Sequence, residues 1–120
     1  MERKRILIIE DDPDVRALTE DILRDRYEIL LCEDGKRGIE VALRELPDLV
    51  LLDVYMGGIT GFEVCRILKG TSETSSIPVI IFTVGAHKHE ISRGYASGAD
   101  DYITKPFEPE DLVDRIERLI

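Results

Sequence analysis

The acidic run Glu10-Asp11-Asp12 directly follows the apolar run Ile6–Ile9, and other polar groups stand in the same relation to their own apolar runs. Asp53 follows Leu49–Leu52, Thr83 follows Val79–Phe82, and Thr104-Lys105-Pro106 follows Tyr102-Ile103. Carboxylates gathered at one edge repel each other and do not all stay ionised unless a cation neutralises them. The donors on offer are oxygens with no His or Cys beside them. That excludes a zinc-like site and fits Mg²⁺ held by one or two carboxylates, a backbone carbonyl and waters. A carboxylate beside such a cation can attack phosphorus and form an aspartyl-phosphate. Mg²⁺ and Lys105 would offset charge on the phosphoryl oxygens, and the Thr83 hydroxyl can donate to one of them. The reaction class is phosphoryl transfer onto Asp53, provided that the chain brings these groups together.

The elements that must do so are legible in the pattern. Ile6–Ile9, Ile29–Cys32, Leu49–Leu52, Val79–Phe82 and a weaker Tyr102-Ile103 are rich in Ile, Val and Leu without polar alternation, as in strands buried on both faces. Between them run helical periodicities: Val15, Leu18, Ile22 and Leu23; Ile39, Ala42, Leu43 and Leu46; Phe62, Cys65 and Leu68; and Leu112, Val113, Ile116 and Leu119. Asp12 and Pro13 form a start signal for the first helix. The segment from His87 to Ser97 has only Ile91, Tyr95 and Ala96 for a stripe and is the weakest helix. Strict strand–helix alternation predicts a doubly wound α/β domain with parallel strands, right-handed crossovers and helices on both faces. Ligands of such sheets sit beyond the carboxyl ends of the strands. With the first, third and fourth strands central, the polar groups converge on one crevice.

Length and composition bound the alternatives. A chain of 120 residues with 43% hydrophobic residues suits one domain, here residues 1–120, with one sizeable core. No apolar run approaches the roughly 20 residues of a membrane span, and the basic start Met1 to Arg5 lacks the apolar stretch of a signal peptide. A cytoplasmic location is the expectation, and Cys32 and Cys65 read as reduced, buried thiols. A net charge of −9, with Arg3-Lys4-Arg5 as the only basic run, argues against direct binding of nucleic acid.

These residues resemble the receiver domain of bacterial two-component response regulators over essentially the whole chain. The resemblance rests on Ile6 to Asp12, on Leu51-Leu52-Asp53-Val54-Tyr55-Met56 with Gly61 following, on Thr83, and on Gly98 to Phe107. It implies a flavodoxin-like (βα)5 sandwich with strand order 2-1-3-4-5. It also implies that Glu10 and Asp11 serve Mg²⁺, that Asp53 is phosphoacceptor and metal ligand, and that Tyr55 lends a backbone carbonyl to the metal. Thr83 would be the switch hydroxyl, Tyr102 the switch aromatic, and Lys105 the phosphate-contacting cation ahead of a cis Pro106 bond. Asp12 would be mainly a helix cap. A histidine kinase or phosphotransferase donates the phosphoryl group in that family, the surface of the fourth helix, fifth strand and fifth helix responds, and homodimers can form on phosphorylation. The chain would catalyse only its own phosphorylation and dephosphorylation. Two positions depart from the pattern: Gly57-Gly58 replaces a proline after Met56, predicting a more mobile metal-side loop, and Val84 replaces a small residue after Thr83, predicting narrower access.

Singly, each residue has a plainer reading. The acidic run can be solvated helix caps, Thr83 a β-former, Lys105 a surface charge and Tyr102 a packing residue. Asp100-Asp101 reads as solvated charge opening the fifth strand, and Arg115, Glu117 and Arg118 as the solvated face of the last helix. The i,i+2 spacing of His87 and His89 puts the imidazoles on different helix faces, against a metal role. Gly57, Gly58 and Gly61 fail the phosphate-loop pattern. Three rival functions remain: a flavin-binding electron carrier, a phosphohydrolase with an aspartate nucleophile, and a phosphorylation-independent interaction module. The acidic run would repel a flavin phosphate, no cap insertion marks a hydrolase, and an interaction module has no need of the whole acidic, Thr and Lys set.

Overall fold

The computed structural model describes residues 2–84 and 88–120, of residues 88 and 89 the backbone only. His87 and the His89 side chain therefore lie outside the described residues. Strands β1 (Arg5–Ile9), β2 (Glu28–Cys32), β3 (Leu49–Leu52), β4 (Val79–Thr83) and β5 (Asp101–Thr104) alternate with helices α1 (Pro13–Leu23), α2 (Gly35–Glu45), α3 (Gly61–Gly70), α4 (Lys88–Ala96) and α5 (Pro109–Leu119). The strands pair in parallel in the order β2-β1-β3-β4-β5, as expected. Among the described residues, no helix is long and apolar enough to cross a membrane.

The unbroken apolar runs of β1, β3 and β4 follow from helices on both faces, whereas β2 at the sheet edge is not buried as expected and leaves Leu31 exposed. Leu7, Ile9, Val50, Leu52, Val79 and Ile81 enter one core with residues of α2 and α3. Ile6, Ile8, Leu49, Leu51, Ile80 and Phe82 enter the other with residues of α1 and α5. Since successive strand side chains point to opposite faces, a strand covered on both sides must be apolar at every position. Cys32 and Cys65 are buried and unpaired with each other.

The helices keep their places but not all of their predicted stripes. Leu18, Leu43 and Leu46 are exposed rather than turned to the sheet. On α1 the buried positions are Thr19 and Leu23, and Thr19 is buried because its hydroxyl donates to the Val15 carbonyl at 2.7 Å. On α2 the buried face is Gly35, Gly38, Val41 and Ala42, and a Cβ at Gly38 would stand 2.3 Å from Ile9 Cδ1. A face made of glycine carries no hydrophobic signal, so periodicity rotates the predicted stripe towards the leucines. Leu46 lies beyond the helix as its left-handed cap, φ 46°.

The basic run Arg3 to Arg5 closes helix ends. Arg3 donates to the Arg24 carbonyl at the end of α1, and Arg5 to the Glu45 carbonyl at the end of α2, each at 2.7 Å. Cations there satisfy free carbonyls and oppose the negative end of the helix dipole. Asp100, Asp101 and Arg115 are less solvated than their sequence suggests. Asp100 accepts from the Val79 amide and pairs with Lys69, both at 2.8 Å. Arg115 donates to Asp101 at 2.8 Å and to the Tyr102 carbonyl at 3.2 Å, and so ties α5 to β5. The i+14 spacing of that pair is invisible to a helix-face argument. Glu117 pairs with Arg26 of the α1–β2 turn at 2.8 Å.

Candidate active site

The sheet itself sets the site. Each key residue lies one step past a strand, and its amide continues the ladder: Glu10 donates to Cys32 O, Asp53 to Ile9 O and Lys105 to Thr83 O, at 3.0, 3.1 and 2.8 Å. The ends of β1, β3 and β5, with β4 between the last two, therefore carry their side chains into one cleft of about 240 Å³. It is lined by Glu10, Asp11, Asp12, Val15, Asp53, Tyr55, Val84 and Lys105.

Lys105 is the hub. Its ammonium lies 2.5 Å from Glu10 Oε1, 3.7 Å from Asp53 Oδ2 and 4.7 Å from the centroid of the Phe82 ring beneath it. Glu10 is fully buried, Asp53 nearly so, and Lys105 exposes 14% of its side chain, so the charges meet with little water between them. The remaining carboxylate oxygens bind local amides: Asp53 Oδ1 accepts from Val54 at 2.8 Å and Glu10 Oε2 from Asp12 at 3.2 Å. The Lys105–Pro106 bond is cis, as expected.

Acidic oxygens of Glu10, Asp11 and Asp53 come within 4.8 Å of one another. Burial raises the Glu10 carboxyl above its ordinary value, tempered by the Lys105 hydrogen bond and reinforced by the charge of Asp53. Asp11 is also raised, by burial and then by its hydrogen bond and repulsion with Glu10. The single ammonium thus leaves the cluster short of positive charge. An all-oxygen set this close suits a hard divalent cation of the Mg²⁺ type. Asp12, at the cleft wall, is not one of these three acids and caps α1, accepting from the Asp14 amide at 2.9 Å.

The other expected residues are placed as follows. Thr83 is fully buried at the end of β4, and its hydroxyl is the buried side-chain atom without a hydrogen-bond partner among the described residues. Such an orphan costs free energy unless an incoming group satisfies it. Tyr55 is half exposed at the cleft wall, and its hydroxyl donates to Glu90 of α4. Tyr102 is buried in the α2/α3-side core, with its phenol pushed up to about 12 by burial and then by the charges of Glu90, Tyr55 and Asp53. Nothing in the sequence marks Glu90, which lies on the helix with the weakest periodicity, or Phe82 as the floor under Lys105.

The model of the response regulator receiver domain matches residues 6–117. The DNA-binding response regulator MtrA of Mycolicibacterium smegmatis is 39% identical over 116 residues, 95% of this chain and 49% of MtrA. The chain spans about half the length of the curated relatives it matches. Chemotaxis protein CheY4 of Vibrio cholerae superposes with a TM-score of 0.92 at 27% identity, covering 98% of this chain and 99% of that one. The receiver domain of sensor histidine kinase PA1611 from Pseudomonas aeruginosa, which has a magnesium ion coordinated in its active site cleft, superposes at 0.91 with 26% identity, covering 98% and 97%. The doubly wound sheet, the acidic cleft and these likenesses agree, and the chain belongs to the response regulator receiver domain family.

Proposed function

We propose that residues 1–120 form one receiver unit that takes a phosphoryl group onto Asp53 with Mg²⁺ and uses it to change a binding face. The supporting observation is the Lys105 ammonium set between Glu10 and Asp53, with the Glu10, Asp11 and Asp53 oxygens within 4.8 Å of one another. Glu10 and Asp11, Asp53 and the Tyr55 backbone carbonyl would hold the metal, which when bound neutralises charge on the phosphoryl oxygens. An Asp53 oxygen attacks phosphorus, and the bond to the donor breaks with its electron pair leaving on the donor atom. That atom is the imidazole nitrogen of a histidine kinase or phosphotransferase, or the acetate oxygen of acetyl phosphate. Lys105 balances the charge gathered on the transferred group, and the unpartnered Thr83 hydroxyl donates to one of its oxygens. Water later cleaves the acyl phosphate, so the chain acts on itself and has no other substrate.

Two surfaces support the partner reading. Beside the cleft, Val15, Leu18, Ile22, Val84, Phe107 and Pro109 line an apolar groove of about 500 Å³, and the exposure of Leu18 and Val84 suits docking of the donor's helix. On the α4-β5-α5 face, Ile91, Tyr95, Tyr102, Phe107 and Arg115 line a second hollow of about 420 Å³, against the proposed switch residue. That face would pass the signal to an output domain, a target protein or a second copy of the chain in the cytoplasm, with no direct nucleic-acid contact by this unit.

Intact mass after incubation with acetyl phosphate tests the reading. A Mg²⁺-dependent gain of about 80 Da in the wild type, absent from Asp53→Asn, is expected for a carboxylate acceptor. An equal gain in the variant places the acceptor elsewhere, and no gain in a wild type that binds Mg²⁺ sinks self-catalysed transfer. Val84, two-thirds exposed at the cleft wall, narrows the approach. Val84→Ala is expected to speed uptake from acetyl phosphate about threefold, or ~0.6 kcal/mol of barrier. Unchanged uptake and hydrolysis rates would remove the steric role.

A further inference from the structure

α4 packs one partly buried apolar side chain, Ile91, against the core, and its contacts through Glu90, Arg93 and Gly94 carry no hydrophobic periodicity. Among its residues with described side chains only Gly94 is buried. Glu90, Arg93 and Gly94 have i, i+3, i+4 spacing and so share one helix face. That face meets the residues around Asp53. The Tyr55 hydroxyl donates to the Glu90 carboxylate, the Arg93 guanidinium lies 4.7 Å over the Phe62 ring, and a Cβ at Gly94 would come within 2.8 Å of the Tyr102 ring. Tyr55 is two residues past Asp53 and Phe62 is next to Gly61, so both anchor points belong to the two ends of the acceptor loop. The Tyr55 phenol feels both partners, raised by the Glu90 hydrogen bond and charge and lowered by Arg93. The same loop contains Gly57 and Gly58, around which a Cβ would meet nothing within 4 Å, and Gly58 has φ +85°.

We infer that Glu90 is a positioning residue for the acceptor loop: through the Tyr55 hydroxyl it tethers the loop after Asp53 to α4, so that loop and helix tighten and loosen together. A loop with two adjacent glycines has much conformational freedom to lose, and a side-chain tie from Tyr55 onto a helix removes part of it. The tie gives α4 a direct connection to the loop after Asp53. Coupling of this kind is reciprocal, so a change at either end is felt at the other. These contacts are present without a phosphoryl group, so the tether needs no phosphoryl transfer.

Hydrogen exchange on the metal-free full chain tests it, read separately in residues 54–60 and in α4. Tyr55→Phe and Glu90→Ala are each expected to speed exchange about threefold to tenfold in both segments, the scale of one lost hydrogen bond. Strands β1 and β3 keep their protection. Glu90→Gln keeps an acceptor and is expected to fall closer to wild type, and Tyr55→Phe adds nothing in the Glu90→Ala background. Mg²⁺ affinity, followed by loop amide shifts, weakens about threefold in Tyr55→Phe on the same scale. Faster exchange in one segment alone, in neither, or equally in Glu90→Gln and Glu90→Ala would overturn the tether. Because the exchange arm uses no phosphoryl donor, a failed acceptor reading and a failed tether give different results.

Discussion

Lys105→Met is expected to lower stability by about 3 kcal/mol at neutral pH, and to lose much of that deficit on acidification or on addition of Mg²⁺. Methionine keeps an unbranched stem of similar length over the Phe82 ring and removes only the charge. The Glu10 carboxylate, 1% exposed, then keeps its burial and the repulsion of Asp53 without the cation 2.5 Å away. Removing one partner of a buried ion pair commonly costs about 3–5 kcal/mol. The low end applies because Asp11, the third acidic group, is exposed and Lys105 keeps 14% of its side chain in solvent. The pH dependence has a definite sign. In the wild type the Glu10 pKa is already raised by burial, and the Lys105 hydrogen bond is the largest influence lowering it. Without Lys105 the folded-state value rises further above the unfolded one, so the folded variant binds the proton more tightly. The deficit is then full above the variant's folded pKa and shrinks as pH falls through it towards the unfolded value. A divalent cation replaces the missing charge by another route, stabilising in proportion to its occupancy. Thermal unfolding at pH 7.5 and pH 5, each with and without Mg²⁺, checks this. A deficit that is the same in all four conditions would mean that Lys105 contributes packing and not charge.

The site was more legible than the surface around it, for one physical reason. Glu10, Asp53 and Thr83 each stand at the end of an unbroken apolar run, Lys105 follows the weaker run Tyr102-Ile103, and the parallel sheet brings consecutive strand ends to one edge. Their chemistry then follows from residue type. The buried runs were legible because both sheet faces are covered, which leaves β3 wholly apolar and β4 apolar up to its terminal Thr83. Where contacts are made by absence of a side chain, the pattern is silent: α2 approaches Ile9 through Gly38, and α4 approaches Tyr102 through Gly94. Long-range polar ties are silent too. Arg115 reads as an exposed α5 residue until the fold sets it against Asp101, and Glu90 reads as a surface acid until α4 sets it against Tyr55. Exposed Leu18 misleads in the opposite direction, since an apolar residue kept for a groove on the outside has the same periodicity as one kept for the core.

Gly61→Ala is expected to destabilise the fold by about 3 kcal/mol and to weaken Mg²⁺ binding with it, whereas Gly57→Ala changes stability by less than about 0.5 kcal/mol. The two positions lie four residues apart, Gly57 in the loop before α3 and Gly61 at the first position of that helix, and differ in what surrounds them. A Cβ at Gly61 would stand 2.2 Å from the Asp53 carbonyl oxygen and 2.7 Å from the Val54 Cα, whereas one at Gly57 would meet nothing within 4 Å. Overpacking usually costs about 1–3 kcal/mol, and the upper end applies when the atoms in the way are backbone and have no rotamer to escape into. The approach is close because the Gly61 amide donates to the Val54 carbonyl at 3.0 Å, folding the loop back so that α3 starts against Asp53. An alanine there must push α3 and Asp53 apart. Any displacement of Asp53 moves one of the three acidic groups whose oxygens lie within 4.8 Å of one another, and hard-cation sites depend on that spacing. Urea unfolding paired with Mg²⁺ titration separates the effects. Loss of stability with unchanged Mg²⁺ affinity would show that the cleft tolerates movement of its acceptor loop. Equal responses at Gly61 and Gly57 would show that loop flexibility, and not the approach to Asp53, is what the glycine supplies.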